Sequence, residues 1–213
     1  MNAKAVLESA PKSRGGRPPA EAAALIAERI LGAAWTIVLE HGPDGLSFDR
    51  LAVVAGAGKA TIYARFPSKV ELARAILEHR LRSFEQQFES DIPMGETLEE
   101  ELALLAERVA SLMTASEGRA LERMIDWLDL ADPIVGEEAR DWLYGRSTEM
   151  IAHHLTQIAS KWCVPVKQPE FIAQLWLESV FGHARMRRKT DDAFDWARRH
   201  ARVFKRALAL AQD

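Results

Sequence analysis

Apolar side chains recur at steps of three and four residues along almost the whole chain after residue 18, and no segment shows convincing period-two alternation. That spacing puts each apolar stripe on one face of a helix and leaves nothing to build a sheet from, so it predicts an all-α fold. The stripes can be followed in order. Ile26, Ile30, Ala33 and Ile37 come after Pro18 and Pro19, which suit a helix start. "HGPDG" at 41–45 is rich in turn formers and stops that helix. Ser47 is placed to cap a second helix carrying Phe48, Leu51, Ala52 and Ala55, and Gly56 ends it. A short helix covers about 58–66 and stops before Pro67. Ser68 and Glu71 form a Ser-x-x-Glu capping pair that opens a long helix, 68–89. After "DIPMGE" (91–96), stripes run from Leu98 to Leu112, from Leu121 to Leu128 and from Leu143 to Trp162. Beyond "CVPVKQP" (163–169), two final helices cover 170–188 and 191–211.

Length and charge narrow the function classes. The 213 residues allow one sizeable core or two small ones, and 48% hydrophobic with 28% charged side chains is ordinary for a soluble globular protein. No apolar run approaches the roughly 20 residues that span a bilayer, and the N-terminus lacks the apolar core of a secretory signal. Cys163 is the only cysteine, which excludes an internal disulfide and fits a reducing compartment. A cytoplasmic protein with no membrane partner is therefore expected. Net charge is −3, unevenly spread: residues 1–70 hold nine basic and six acidic groups, 71–170 hold ten and twenty, and 171–213 hold nine and five. Phosphate would be repelled by the acidic middle and attracted to the N-terminal end, so any DNA contact belongs there.

The stretch "AVVAGAGKATIYARFPSKVEL" (52–72) crowds polar groups where a core helix has no use for them. Residues 47–66 are two short helices joined by Gly56 and Ala57, the sequence form of a helix-turn-helix. On the second helix Ile62, Phe66 and Gly58 share one side, Ala60 and Ala64 lie opposite, and Thr61 and Tyr63 flank them. Two outward alanines suit close approach of backbone to base edges. Ala60 is placed to meet a thymine methyl, and Thr61 a base or a phosphate. Tyr63, Arg65 and Lys69 suit phosphate clamping on either side. Arg14 and Arg17 in "PKSRGGRPP" either enter a minor groove or belong to a solvated tail, and the first 17 residues are expected to be a disordered basic arm.

Phe48 to Leu72 resembles the DNA-binding domain of the TetR family of bacterial transcriptional regulators. The chain reads "AGKATIYARF" and then "PSK", and Lys59, Thr61, Tyr63, Phe66, Ser68 and Lys69 match the family's pattern across the recognition helix and the next helix start. Ser47 stands where the family usually has threonine, keeping the hydroxyl, which adds it to the expected DNA-contacting set. Gly58 replaces a capping serine, Ala64 a tyrosine and Arg65 a histidine. The motif covers roughly residues 20–75, and beyond it only the helical layout is similar. The resemblance implies a DNA-binding domain at 18–67 and a ligand-sensing and dimerisation domain at 68–213, joined by the long helix. It also implies a homodimer on double-stranded DNA with a palindromic operator, and repression relieved by a small apolar effector.

In the second half, Ser179 and Gly182 would permit close helix approach, and Trp176 and Trp196 would anchor a dimer face shared with His183, Met186 and Phe204. Met113, Met124, Trp127, Trp142, Tyr144 and His154 are the candidates for an apolar, adaptable pocket, although each also suits plain core. The adjacent His153 and His154 point about 100° apart on a helix and lack partners at ligand spacing, so neither a metal nor another cofactor is expected. Two competing classes stay open. An all-α enzyme would need a nucleophile–base pair, a phosphate loop or a metal set, none of which the sequence offers, so no enzyme is expected. A helical protein-binding adaptor would leave Lys59, Thr61, Tyr63 and Lys69 without a use.

Overall fold

The computed structural model describes residues 20–89, 94–186 and 193–210, and all regular structure among them is helical. In order, α1 is Ala20–His41, α2 Phe48–Ala55, α3 Lys59–Tyr63, α4 Lys69–Glu89, α5 Leu98–Thr114, α6 Ser116–Ala131, α7 Pro133–Lys161, α8 Pro169–Met186 and α9 Ala193–Leu210, with a 3₁₀ turn at Pro43–Gly45. Local chemistry explains most of the boundaries. The Ser47 hydroxyl accepts the Arg50 amide at 3.2 Å to start α2, and Thr97 does the same for Glu100 at α5. Gly56 closes α2 in the left-handed region at φ 57°, and the Ala57 amide reaches back to the Ala52 carbonyl at 3.1 Å. Ser68 accepts the Glu71 amide at 3.1 Å at the head of α4, the first half of the expected capping pair.

Three expectations change. The short helix is tighter than 58–66: α3 ends at Tyr63, and the Arg65 and Phe66 amides close a turn onto the Ile62 carbonyl. The helix expected from Leu143 starts at Pro133, because Asp132 caps it through the Val135 amide and a proline is tolerated in the first turn. Finally, residues 22–41 do form a helix long and apolar enough to cross a bilayer, with mean hydropathy 1.7. The apolar stripe was legible, but its neighbours are mostly alanine rather than charge. Here Ile30, Leu31, Ala34, Trp35, Ile37 and Val38 bury that surface inside the protein.

Two apolar clusters organise the packing. The N-terminal one gathers α1, α2, α3 and the first half of α4 around Ile30, Val38, Leu51, Ile62 and Leu72, and it also takes in Ala120, Met124 and Leu128 from α6. The C-terminal one joins α5, the second half of α7, α8 and α9 through Leu102, Leu105, Ile151, Leu155, Trp176 and Phe204. Its α5–α7 corner is pinned by a buried carboxylate. Glu101, 2% exposed, meets the Lys161 ammonium, accepts Trp162 Nε1–H at 2.9 Å and accepts the Gly95 amide at 3.2 Å. Burial pushes the Glu101 pKa up, but these hydrogen bonds together outweigh it and hold the group below the ordinary carboxylate range.

Between α8 and α9 lies an aromatic stack. His183 faces Trp196 at 3.8 Å, and His200 packs against Trp196 at 4.8 Å and Phe204 at 4.6 Å between ring centroids. Ser179 donates to the Trp176 carbonyl at 2.7 Å, so the 2.7 Å contact between its oxygen and His200 Nε2 needs the imidazole to donate. Burial, with the neighbouring His183, lowers the His200 pKa to about 4. The unfolded chain therefore takes a proton near pH 6.5 that the folded chain refuses, and stability falls as pH drops from about 6.5 toward 4. Urea unfolding of the parent should lose about 2 kcal/mol between pH 6.5 and 5 from this group, and His200→Phe should flatten that part of the curve. Equal pH dependence in the two proteins would contradict it.

Candidate functional site

The helix-turn-helix places its residues as two short helices on α1. Ile62 is fully buried beneath α3, and Phe66 nearly so. On the outer side Lys59, Ala60, Tyr63 and Ala64 are exposed, with Thr61 half-buried at the edge. A five-residue helix with its apolar side held so firmly can present only this arc, and the methyls of Ala60 and Ala64 lie at its centre.

The polar members of the arc are held from within. Lys59 forms an ion pair with Asp49 at the start of α2, and the hydrogen bond it donates to the Asp49 carboxylate raises the lysine pKa above its ordinary value. The Tyr63 ring, 48% exposed, leans on Phe48 at 4.4 Å between centroids. Arg65 donates to the Ala23 carbonyl of α1 at 3.0 Å, so its guanidinium braces the head from the side away from the arc. Lys69 extends over Trp127 of α6, 4.7 Å from the ring centroid, a cation–π contact between the start of α4 and the second half of the chain. Ser47 is exposed and serves as the cap of α2. Arg14 and Arg17 lie outside the described residues.

A second feature opens on the other side of α6. A cavity of about 120 Å³ sits among α4, α5, α6, α7 and α8, walled by Phe84, Phe88, Leu112, Leu121, Ile151 and Leu177 among other apolar groups. It adjoins a wider, solvent-open chamber of about 440 Å³ edged by Asp126, Arg140, Tyr144, Glu178 and Arg185. Met113, Glu122, Ile125, Leu143, Ser147 and Phe181 border both.

Of the six side chains expected in a pocket, Met113 borders both chambers and Tyr144 the outer one. The other four stand elsewhere. Met124 is buried in the N-terminal cluster and Trp127 packs against it. Trp142 is exposed. His154 is buried against Phe88, its Nδ1 2.8 Å from the Met150 carbonyl. The cavity walls themselves, Phe84, Phe88 and Leu121, read in the sequence as core stripes. An apolar residue facing an internal space and one facing a neighbour give the same periodicity.

The residues expected on a dimer face are also divided. Trp176 is 0% exposed and belongs to the protomer's own core, and Phe204 is buried with it. Ser179, His183 and Trp196 take part in the aromatic stack between α8 and α9. Gly182 and Met186 are exposed, and the sequence reading overlooked Phe171 and Leu175, which stand exposed on the same stretch of α8. Residue type marks an aromatic anchor, but only the wheel phase relative to α5 tells which side of α8 it occupies.

Known proteins are similar to this chain in sequence at its N-terminal part and in fold along most of its length. Residues 30–76 match the model of "Bacterial regulatory proteins, tetR family". The chain is 26% identical over 98 residues to the fatty acid metabolism regulator protein of Bacillus subtilis, a match covering 46% of this chain and about half, 50%, of that relative. In fold it is similar to a TetR-family transcriptional regulator structure from Mesorhizobium loti, with TM-score 0.68, 21% identity and coverage of 88% of this chain and 96% of that one. It is also similar to FadR from Bacillus subtilis, solved with stearoyl-CoA, with TM-score 0.59, 18% identity and coverage of 83% and 96%. Residues 30–76 thus carry the helix-turn-helix of the tetR family of bacterial regulatory proteins, and the helices beyond them share the fold of the solved TetR-family structure.

Proposed function

We propose that the protein is a DNA-binding transcriptional regulator. As a homodimer it represses from a palindromic operator and is released when a small, largely apolar ligand occupies the cavity beside α6. The observation that carries this reading is the outward arc of α3. Lys59, Ala60, Tyr63 and Ala64 are exposed on a helix whose opposite side is locked into the core, as an element entering a major groove requires. The acidic excess lies in residues 71–170, which leaves the N-terminal head as the part that phosphate attracts. Two copies related by a two-fold axis would present two such arcs to two half-sites, hence the palindrome. The exposed Phe171, Leu175 and Met186 of α8 support a helix-to-helix contact between copies.

Release follows from where α6 stands. Its Met124 and Leu128 are part of the N-terminal core, while Leu121 and Ile125 border the cavity. A ligand that wedges against Leu121 and Ile125 moves a helix that the head is packed upon. It shifts DNA binding by as much as it prefers the moved position over the unmoved one. Domains at 18–67 and 68–213 are the matching functional division, with α4 as the shared rod. The stearoyl-CoA held by the Bacillus FadR structure supports an apolar ligand in this general fold.

Selection of bound duplexes from a random pool, followed by footprinting, tests the reading: two symmetric protected halves are expected. A lone half-site, or no enrichment at low salt, would refute it. Single substitutions then separate the roles of the arc. Thr61→Val is expected to change sequence preference more than total affinity, while Lys69→Gln should weaken all sequences alike and reduce the salt slope by about one. Arg65→Gln should leave the salt slope in place and instead lower the stability of the head, because its guanidinium is spent on the Ala23 carbonyl. An Arg65→Gln protein with reduced salt slope and unchanged stability would overturn that assignment.

A further inference from the structure

The chemistry of the two-part cavity goes further than "apolar ligand". The inner chamber, at about 120 Å³, is a little smaller than an engineered protein cavity of about 150 Å³ that stays dry and takes up benzene. It therefore suits one ring or a short branched chain rather than a long acyl tail. Among the described residues its polar lining comes from Glu122 and Ser147, both at the border with the outer chamber. An occupant must have an apolar end inside and its polar end in the outer chamber.

The outer chamber sets the sign of that polar end. Two guanidiniums stand there, and each is already matched. Arg185 lies 3.4 Å from Glu122. Arg140 is ion-paired with Asp129, whose hydrogen bond, with Asp126 and Asp141 adding to the field, raises the arginine pKa above its ordinary value. Glu178 receives only neutral donors, Tyr144 Oη–H at 3.0 Å and Gln174 Nε2–H at 3.3 Å. Carboxylates thus outnumber cations around the opening, and the segment that builds most of it, residues 71–170, holds twenty acidic against ten basic groups. An anionic head would have to draw a guanidinium away from Asp129 or Glu122 and would still face Asp126 and Glu178. A cationic head would complete them.

We propose that the cavity binds a compact apolar amine: a ring-sized apolar end in the inner chamber, and a positively charged nitrogen held between Asp126 and Glu178 in the outer one. This rests on the cavity being the effector site and narrows that site to one chemical class, excluding anionic acyl thioesters. Because both carboxylates are exposed to solvent, their combined discrimination is about tenfold at low salt and shrinks as salt rises.

Calorimetric titration with three probes sharing one apolar end tests it: 3-phenylpropylammonium, 3-phenylpropanol and 3-phenylpropanoate. The ammonium is expected to bind about tenfold more tightly than the carboxylate, with the alcohol between them. Asp126→Asn combined with Glu178→Gln should bring the three together without weakening the alcohol. Ser147→Trp, at a half-buried position bordering both chambers, should abolish all three. The proposal is overturned if the carboxylate binds as tightly as the ammonium, if the double substitution leaves the order unchanged, or if binding survives Ser147→Trp. It is also overturned if none of the three binds. Selective DNA binding by the same preparation would then show that the regulator reading stands and only the ligand class has failed.

Discussion

The molecule depends on one helix being buried on two adjacent sides. Residues 120, 124 and 128 of α6 fall on one face, and Ala120, Met124 and Leu128 there are fully buried in the N-terminal core. Leu121 and Ile125 turn the neighbouring face to the cavity. Its first turn lies directly against the end of α5, so close that a Cβ on Gly118 would lie 2.3 Å from the Leu112 carbonyl oxygen and 2.8 Å from Met113 Cα. Close-packed interiors respond to such a constraint by moving whole elements rather than by local deformation. On the proposed reading a wedge in the cavity would be felt at Met124 and Leu128, and the Lys69–Trp127 contact ties the same helix to the start of α4.

The head has a matching economy. Lys59, Tyr63 and Arg65 each have a partner inside the protein: Asp49, Phe48 and the Ala23 carbonyl. Those contacts fix the angle of a helix only five residues long, which could not hold its own shape as an isolated peptide. Lys59 and Tyr63 are thereby pre-organised for a surface they meet from outside, so little side-chain freedom is lost when they meet it, whereas Arg65 serves the packing of α1 alone. The Lys59–Asp49 pair is exposed and weak on its own, and a phosphate can compete for the lysine at little cost.

Much of this was legible in the sequence, for reasons that differ by element. Helix caps are local, so Ser47, Gly56 and Ser68 could be read directly. The helix-turn-helix was legible because its constraints, a left-handed glycine and a buried Ile62 opposite two alanines, all lie within 25 residues of one another. Position on the far side of a helix was not legible. Trp176 looked like an interface anchor and is core, while Trp127 and Met124 looked like pocket and face the head. Each depends on which neighbour α6 or α8 packs against, a long-range fact that apolar periodicity does not encode. The charged edge of the outer chamber was equally hidden, since Asp126, Arg140, Glu178 and Arg185 come from three helices and meet only in the fold.

The central claim is that filling the cavity changes what the head does. Ser147→Trp places an indole at the junction of the two chambers and so acts as an occupant that needs no knowledge of the natural ligand. Affinity for a selected operator and for an unrelated duplex should be measured for this variant and the parent at the same salt concentration. The predicted result is a change of about fivefold or more on the operator, the lower end of ordinary allosteric coupling, with the unrelated duplex unaffected. Unchanged operator affinity in a variant that no longer takes up an apolar probe would contradict it.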